Sequence, residues 1–228
     1  MNQNAMTMRV DGYEEEKAAV VMACIKEHGF PPMTRKIAAA HEAGHVIVAD
    51  AVGLPPIIHT YIQKEPIAHE LRVLFGNLVG EALPAFWWVG WTAWGDATET
   101  LNDLSAHELL QRLLFTLGGW AGERAIGKAH PSSCVDERLF YAFQYGVFAY
   151  KGYYTPTADH EAVAAWTLSL IARVEGRALQ IIRKRRHLFD RLRKKLYQCK
   201  RLEGDQLAPF RIGTMEGWDR DLIPPVVH

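Results

Sequence analysis

The segment from Thr34 to Gly53, TRKIAAAHEAGHVIVADAVG, has less structural freedom than any other part of this chain. It is rich in alanine, the residue of highest helix propensity, and Gly44 is its one internal breaker. The helix starts near Thr34. Gly53 and the following Pro55-Pro56 stop it, because glycine closes helices in the left-handed conformation and proline cannot continue them. On a helix, residues i and i+4 share a face, so His41 and His45 present two imidazoles to one metal ion. Glu42, one position round, reaches the open coordination position. Ala38-Ala39-Ala40 and Val46-Ile47-Val48 flank the motif and predict a largely buried helix. Paired histidines beside a carboxylate are costly in such surroundings unless they bind something.

The chemistry this pattern implies is zinc-dependent hydrolysis. Zinc lowers the pKa of a bound water and stabilises the oxyanion that forms at the scissile carbonyl. Glu42 takes the proton from the attacking water and returns it to the leaving amine. A third protein ligand is needed. The metzincin extension requires Gly and His where this chain has Val48 and Ala51, which excludes that class. Downstream, Asp103, His107, Glu123, His130, Asp136 and Glu137 all remain open as candidates.

The 228 residues suit one compact domain with appendages. YEEEKAAVVMACIKEH at 13–28 predicts a short helix closed by Gly29 and Pro31-Pro32. IIHTYIQ at 57–63 is β-branched and aromatic enough for a strand, with LRVLFGNLVG at 71–80 as its expected partner in a small sheet. Ser105 and Glu108 form a capping-box pattern ahead of HELLQRLLFTLGGWAGERAIG, whose apolar spacing is helical. Residues 136–150 suggest a further helix beyond Pro131. From 159 to 202, Val163, Trp166, Leu170, Ile171, Val174, Ala178, Ile181 and Ile182, then Leu188, Phe189, Leu192 and Leu196, recur at near-helical spacing. They predict long C-terminal helices, paired or broken near Arg186. The fold expected is mainly α with a small β-sheet, built on a zincin-like H-E-x-x-H helix.

Several of these segments resemble the peptidase domain of FtsH-type AAA proteases. RKIAAAHEAGHVIV is similar to that family's run of basic residues and alanines before H-E-A-G-H. LLFTLGGWAGERAIGK resembles its helix with a Gly-Gly pair before an Ala/Glu-rich turn, and SSCVDERLFYAF its small residues before a ligating Asp. RLEGDQL is similar to the turn after the family's C-terminal helix pair. The resemblance spans 34 to 220, with 1–33 as a helical extension and 221–228 as a tail, and H-E-A-G-H is its sharply specific part. It implies Zn²⁺ held by His41, His45 and Asp136, with Glu137 the rival to Asp136, a polypeptide substrate and assembly as a homo-oligomer. The family's ATPase module is not expected here, since only 33 residues precede the match. The expected activity is therefore ATP-independent cleavage of unfolded or flexible chains, bound as an added strand near Ile57 to Gln63. The alternatives are a zinc-stabilised adaptor that does not hydrolyse, or a subunit served by a separate unfoldase.

Lys+Arg and Asp+Glu are equal at 26 each, so nothing in the overall charge argues for steering toward nucleic acid or an anionic membrane. Three widely spaced cysteines, Cys24, Cys134 and Cys199, do not make a disulfide framework, and no secretory signal is visible at the N-terminus. A cytoplasmic protein without a transmembrane segment is expected, because the most apolar run, Ala82 to Trp94, is too short to span. Gly122 to Lys128 has the spacing of a phosphate loop, but Ala129 replaces the metal-binding hydroxyl and a helix leads in, so nucleotide binding is not expected. The cations from Arg183 to Lys195 read as a solvated helix face. Trp87, Trp88, Trp91 and Trp94 suit either a hairpin core or an oligomer contact.

Overall fold

The computed structural model of the chain describes residues 33–67, 69, 72–73, 84–94, 105–128 and 160–222. Its first helix, α1 (Arg35–Val52), begins where the Thr34 hydroxyl accepts a hydrogen bond from the Ile37 N–H at 3.3 Å. It ends at Gly53, whose φ of 79° is the left-handed conformation glycine adopts without strain. Both caps stand where the sequence puts them. Between them α1 is buried on nearly every side, so it serves as the central rod of the fold.

Strands β1 (Ile57–Pro66), β2 (Phe86–Trp94) and β3 (Arg201–Glu203) form a three-stranded antiparallel sheet in the order β2-β1-β3. The register places Thr60 opposite Thr92, Ile62 opposite Gly90 and Tyr61 opposite Trp91. Two sequence expectations are corrected here. The partner of β1 is the Trp-rich segment rather than 71–80, of which residues 72 and 73 are helical. FWWVGWTAW carries the aromatic and β-branched residues that fit a pleated, half-buried surface better. In addition, β1 is the central strand, paired to β2 along its length and to β3 at His59–Tyr61. The edge strands are therefore β2 and the short β3, and β1 has no open edge at His59–Tyr61.

Helix α2 (Ala106–Ala125) opens on the complete capping box of Ser105 and Glu108 and packs most extensively against α1. Helices α3 (His160–Lys184) and α4 (Arg186–Cys199) follow, with a break at Arg185. Leu170, Val174, Ala178, Ile181 and Ile182 of α3 and Leu188, Phe189, Leu192 and Leu196 of α4 join one core with α1, α2 and the inner face of the sheet. Most cations of this region stay outside, as a solvated face requires, but Arg185 does not. It is buried, with Nη1 2.6 Å from Asp50 Oδ2 on α1 and Nη2 donating to the Gly213 carbonyl. The Ile212 and Gly213 N–H groups add bonds to the same carboxylate at 3.0 and 3.1 Å, which fastens the C-terminal segment to α1. Trp218 and Leu222 are buried in turn, so packing continues past 220. No helix among the described residues is long and apolar enough to cross a membrane. The segments at 1–32, 136–150 and 223–228 lie outside the described residues.

Candidate metal centre

Helix α1 turns His41, Glu42 and His45 toward α2 and β2. One potential ligand atom from each lies within 4.8 Å of the others, a group that could hold a metal ion. The imidazole centroids are 4.7 Å apart with the rings nearly perpendicular, as expected of residues one helical turn apart.

Helix α2 holds both rings from behind. His45 Nδ1 is 2.7 Å from the Phe115 carbonyl oxygen; a carbonyl only accepts, so Nδ1 carries the proton and Nε2 is the nitrogen that could ligate a metal. His41 Nδ1 is 2.7 Å from Oε1 of Glu123, a fully buried carboxylate. The same logic makes Nε2 the nitrogen of His41 that could ligate a metal. A carboxylate or carbonyl behind a histidine is the usual means of orienting a ligating ring and raising its basicity. Burial, and secondarily the neighbouring His41, lowers the His45 pKa to about 3, against the opposing pull of the Phe115 carbonyl. His45 is therefore neutral, the form that binds metal, far below physiological pH.

That low value has a consequence for the metal-free protein. A base with a depressed folded pKa gives stability that is complete above its unfolded value, about 6.5, and lost as pH falls toward about 3. Denaturant titrations between pH 6.5 and 5, before most carboxylates titrate, are expected to show a fall of roughly 1–2 kcal/mol, at up to about 1.4 kcal/mol per pH unit. His45→Gln should flatten that slope. An equal slope in wild type and variant would show that His45 is not the source.

The close approach of α1 and α2 depends on glycine. A Cβ on Gly118 would fall 2.9 Å from the Gly44 carbonyl oxygen, and one on Gly122 would strike the Ala40 carbonyl. Gly119 lies against the His41 ring, where a Cβ would be 2.7 Å from Cδ2. The Gly-Gly pair and Gly122 thus set the helix spacing and make room for the His41 ring. This also accounts for the phosphate-loop spacing, since Gly122 sits inside α2 against α1 and Gly127 lies in the turn that ends it.

Glu42 is 4% exposed and lies along β2. The Thr92 hydroxyl donates to its Oε2 at 2.6 Å, Thr60 lies 2.8 Å behind Thr92, and a Cβ at Gly90 would come within 2.6 Å of the Glu42 carboxyl carbon. Trp88 and Trp94 pack toward the core on this side of β2, with Trp94 edge-on to Phe115 at 4.2 Å, whereas Trp91 is exposed. The Trp-rich segment is therefore a wall of the site, with Trp91 exposed on its other face.

Of the third-ligand candidates, Glu123 is placed behind His41 rather than beside the ligating nitrogens. His107 faces Asp219 and Trp218 at the far end of α2. Asp103, His130, Asp136 and Glu137 lie outside the described residues. The supporting roles of Glu123 and Thr92 escaped the sequence reading, although a Gly-Gly pair in a helix was a visible sign of close packing. If the centre takes a metal, Glu123→Ala is expected to weaken its binding roughly tenfold to a hundredfold, with Glu123→Gln in between because its amide oxygen still accepts from His41. Competition against a chromophoric chelator measures this, and unchanged affinity in Glu123→Ala would remove Glu123 from the centre.

Two imidazole nitrogens beside a carboxylate, both rings tethered at their far nitrogens, fit a metal of zinc's preferences. No protein-family model matches the chain, and a search of curated proteins finds no match. The fold and site define a mainly helical domain with a small antiparallel sheet and a helix-borne His-Glu-x-x-His candidate metal centre.

Proposed function

We propose that this chain is a zinc metallopeptidase resembling the peptidase domain of FtsH-type proteases, acting on unfolded or flexible polypeptides without ATP. The observation that carries the reading is the pair of histidines tethered through Nδ1 to Glu123 and Phe115, with the Glu42 carboxylate beside them. In this reading His41 and His45 hold the metal through Nε2, and Asp136 is the third ligand by the family resemblance. A bound zinc ion supplies Lewis acidity toward a carbonyl and acidifies water. Glu42 receives a proton on its carboxylate and delivers it to the leaving amine.

The substrate would lie along the outer edge of β2. Trp88 N–H donates to the Met33 carbonyl at 3.0 Å, so the backbone of Trp88 points away from β1. Strand alternation then puts the backbone groups of Gly90 and Thr92 on that same edge, next to Glu42. An extended chain pairing there is recognised through its backbone, which suits unfolded substrates of varied sequence. For folded substrates a separate unfoldase would supply the threading, and the family resemblance suggests assembly as a homo-oligomer. The free, exposed Cys199 agrees with a reducing, cytoplasmic setting.

The test is hydrolysis of casein by the purified full chain, without ATP and with zinc content measured. Cleavage abolished by chelation and restored by zinc is the expected result. Zinc bound at one per chain with no cleavage would favour the adaptor reading or dependence on an unfoldase, and a chain that binds no zinc would overturn the proposal.

A further inference from the structure

Glu42 is gripped by the sheet rather than by its own helix. Its carboxylate rests on the bare Cα of Gly90, and the Thr92 hydroxyl donates to Oε2 at 2.6 Å. Thr92 has one hydroxyl proton, and that proton goes to Glu42. The 2.8 Å contact between the two threonine hydroxyls therefore runs from Thr60 as donor to Thr92 as acceptor. The result is a directional chain, Thr60 to Thr92 to Glu42, that crosses from the central strand to the edge strand and ends on the carboxylate. Thr60 is fully buried, and Thr92 and Glu42 nearly so. Water does not compete freely for these bonds, and in such surroundings linked hydrogen bonds reinforce one another.

We infer that Thr92 is a positioning residue for Glu42, with Thr60 orienting its hydroxyl and Gly90 providing the seat. The inference rests on the peptidase reading for its catalytic consequence. Glutamate side chains have three rotatable bonds, and a proton-transfer group must be within hydrogen-bond reach of the atom it serves. The Thr92 bond engages Oε2 and restricts the side chain's torsions, which holds the carboxylate against β2. The competing explanation is a purely structural one, in which Thr60 and Thr92 are a cross-strand pair that stabilises the sheet. The two explanations differ in what Thr92→Val and Thr92→Ser do. Valine keeps the shape and removes the hydroxyl, while serine keeps the hydroxyl.

The experiment compares wild type, Thr92→Val and Thr92→Ser as full-length proteins with equal zinc content, using casein cleavage and denaturation midpoints. A positioning role predicts that Thr92→Val lowers kcat roughly tenfold to a hundredfold, as expected for loss of a bond to a charged group. KM should stay within about threefold, and Thr92→Ser should recover most of the rate. Equal kcat in wild type and Thr92→Val, or equal damage from Val and Ser, overturns the inference. A second measurement uses the metal-free protein and needs no activity. The Thr92 hydroxyl proton is expected as a slowly exchanging NMR resonance that moves upfield in Glu42→Gln, where it meets a neutral acceptor; its absence, or indifference to Glu42→Gln, also overturns the inference. If wild type loaded with zinc cleaves nothing, the reading as a peptidase that acts alone fails, and the hydroxyl proton alone decides whether Thr92 holds Glu42.

Discussion

In the zinc peptidase proposed above, Glu42→Gln is expected to keep the fold and the bound metal and to lose casein cleavage by roughly a hundredfold or more. Glutamine has the shape of glutamate, so it still lies on Gly90, and its amide oxygen still accepts the Thr92 hydroxyl bond. What it lacks is a carboxylate oxygen able to take a proton. Removing a charge from a site that is 4% exposed also relieves a desolvation penalty, so the variant should be as stable as wild type or more so. The combination is diagnostic. A purely structural Glu42 would lose stability on substitution and leave a residual rate that scales with the folded fraction. The check is kcat/KM together with zinc stoichiometry and the denaturation midpoint. Cleavage at the wild-type rate in Glu42→Gln would mean that the hydrolysis comes from elsewhere.

The parts of this site that were legible in the sequence are those fixed by neighbours along the chain. Thr34 and Gly53 mark the ends of α1, and Ser105 with Glu108 marks the start of α2, because capping chemistry acts over three or four residues. The spacing of His41 and His45 is read the same way. What escaped depends on residues far apart. Glu123 is 82 positions from the ring it orients and Thr92 is 50 from the carboxylate it holds, and nothing local distinguishes either from an ordinary helix or strand residue. The partner of β1 was not fixed by neighbours along the chain, since 71–80 and the Trp-rich segment are both apolar enough to pair with it. Arg185 sits in a run of cations and is buried only because Asp50, 135 positions earlier, arrives beside it. One long-range feature did leave a local mark. Gly118, Gly119 and Gly122 each cost about 1 kcal/mol of helix propensity relative to alanine, and such a density of glycine within α2 is explained only by a close neighbour. Asp136 rests on the family resemblance and falls outside the described residues.

That close neighbour makes Gly44 the position least able to accept a side chain. A Cβ there would collide with the Gly118 carbonyl oxygen, lie 2.8 Å from its carbonyl carbon and 3.1 Å from the Gly122 Cα. All three are backbone atoms of α2, so no rotamer change makes room; the helices must separate. Separation opens the core on both sides of the contact and pulls Phe115 and Glu123 away from the two histidines at once, since both supports ride on α2. Gly44→Val is therefore expected to cost on the order of 3–5 kcal/mol, above the usual penalty for an overpacked site. That is a large share of the roughly 5–15 kcal/mol that holds a domain folded. Gly44→Ala should fall between valine and wild type, and zinc affinity should drop in the same order. Gly176 provides the control, because it lies inside α3 and a Cβ added there would meet nothing within 4 Å. Gly176→Ala should stabilise by roughly 0.5–1 kcal/mol through helix propensity alone. Chemical denaturation of the three variants tests both halves: if Gly44→Ala and Gly176→Ala shift stability in the same direction, the tight contact between α1 and α2 is not what holds the centre together.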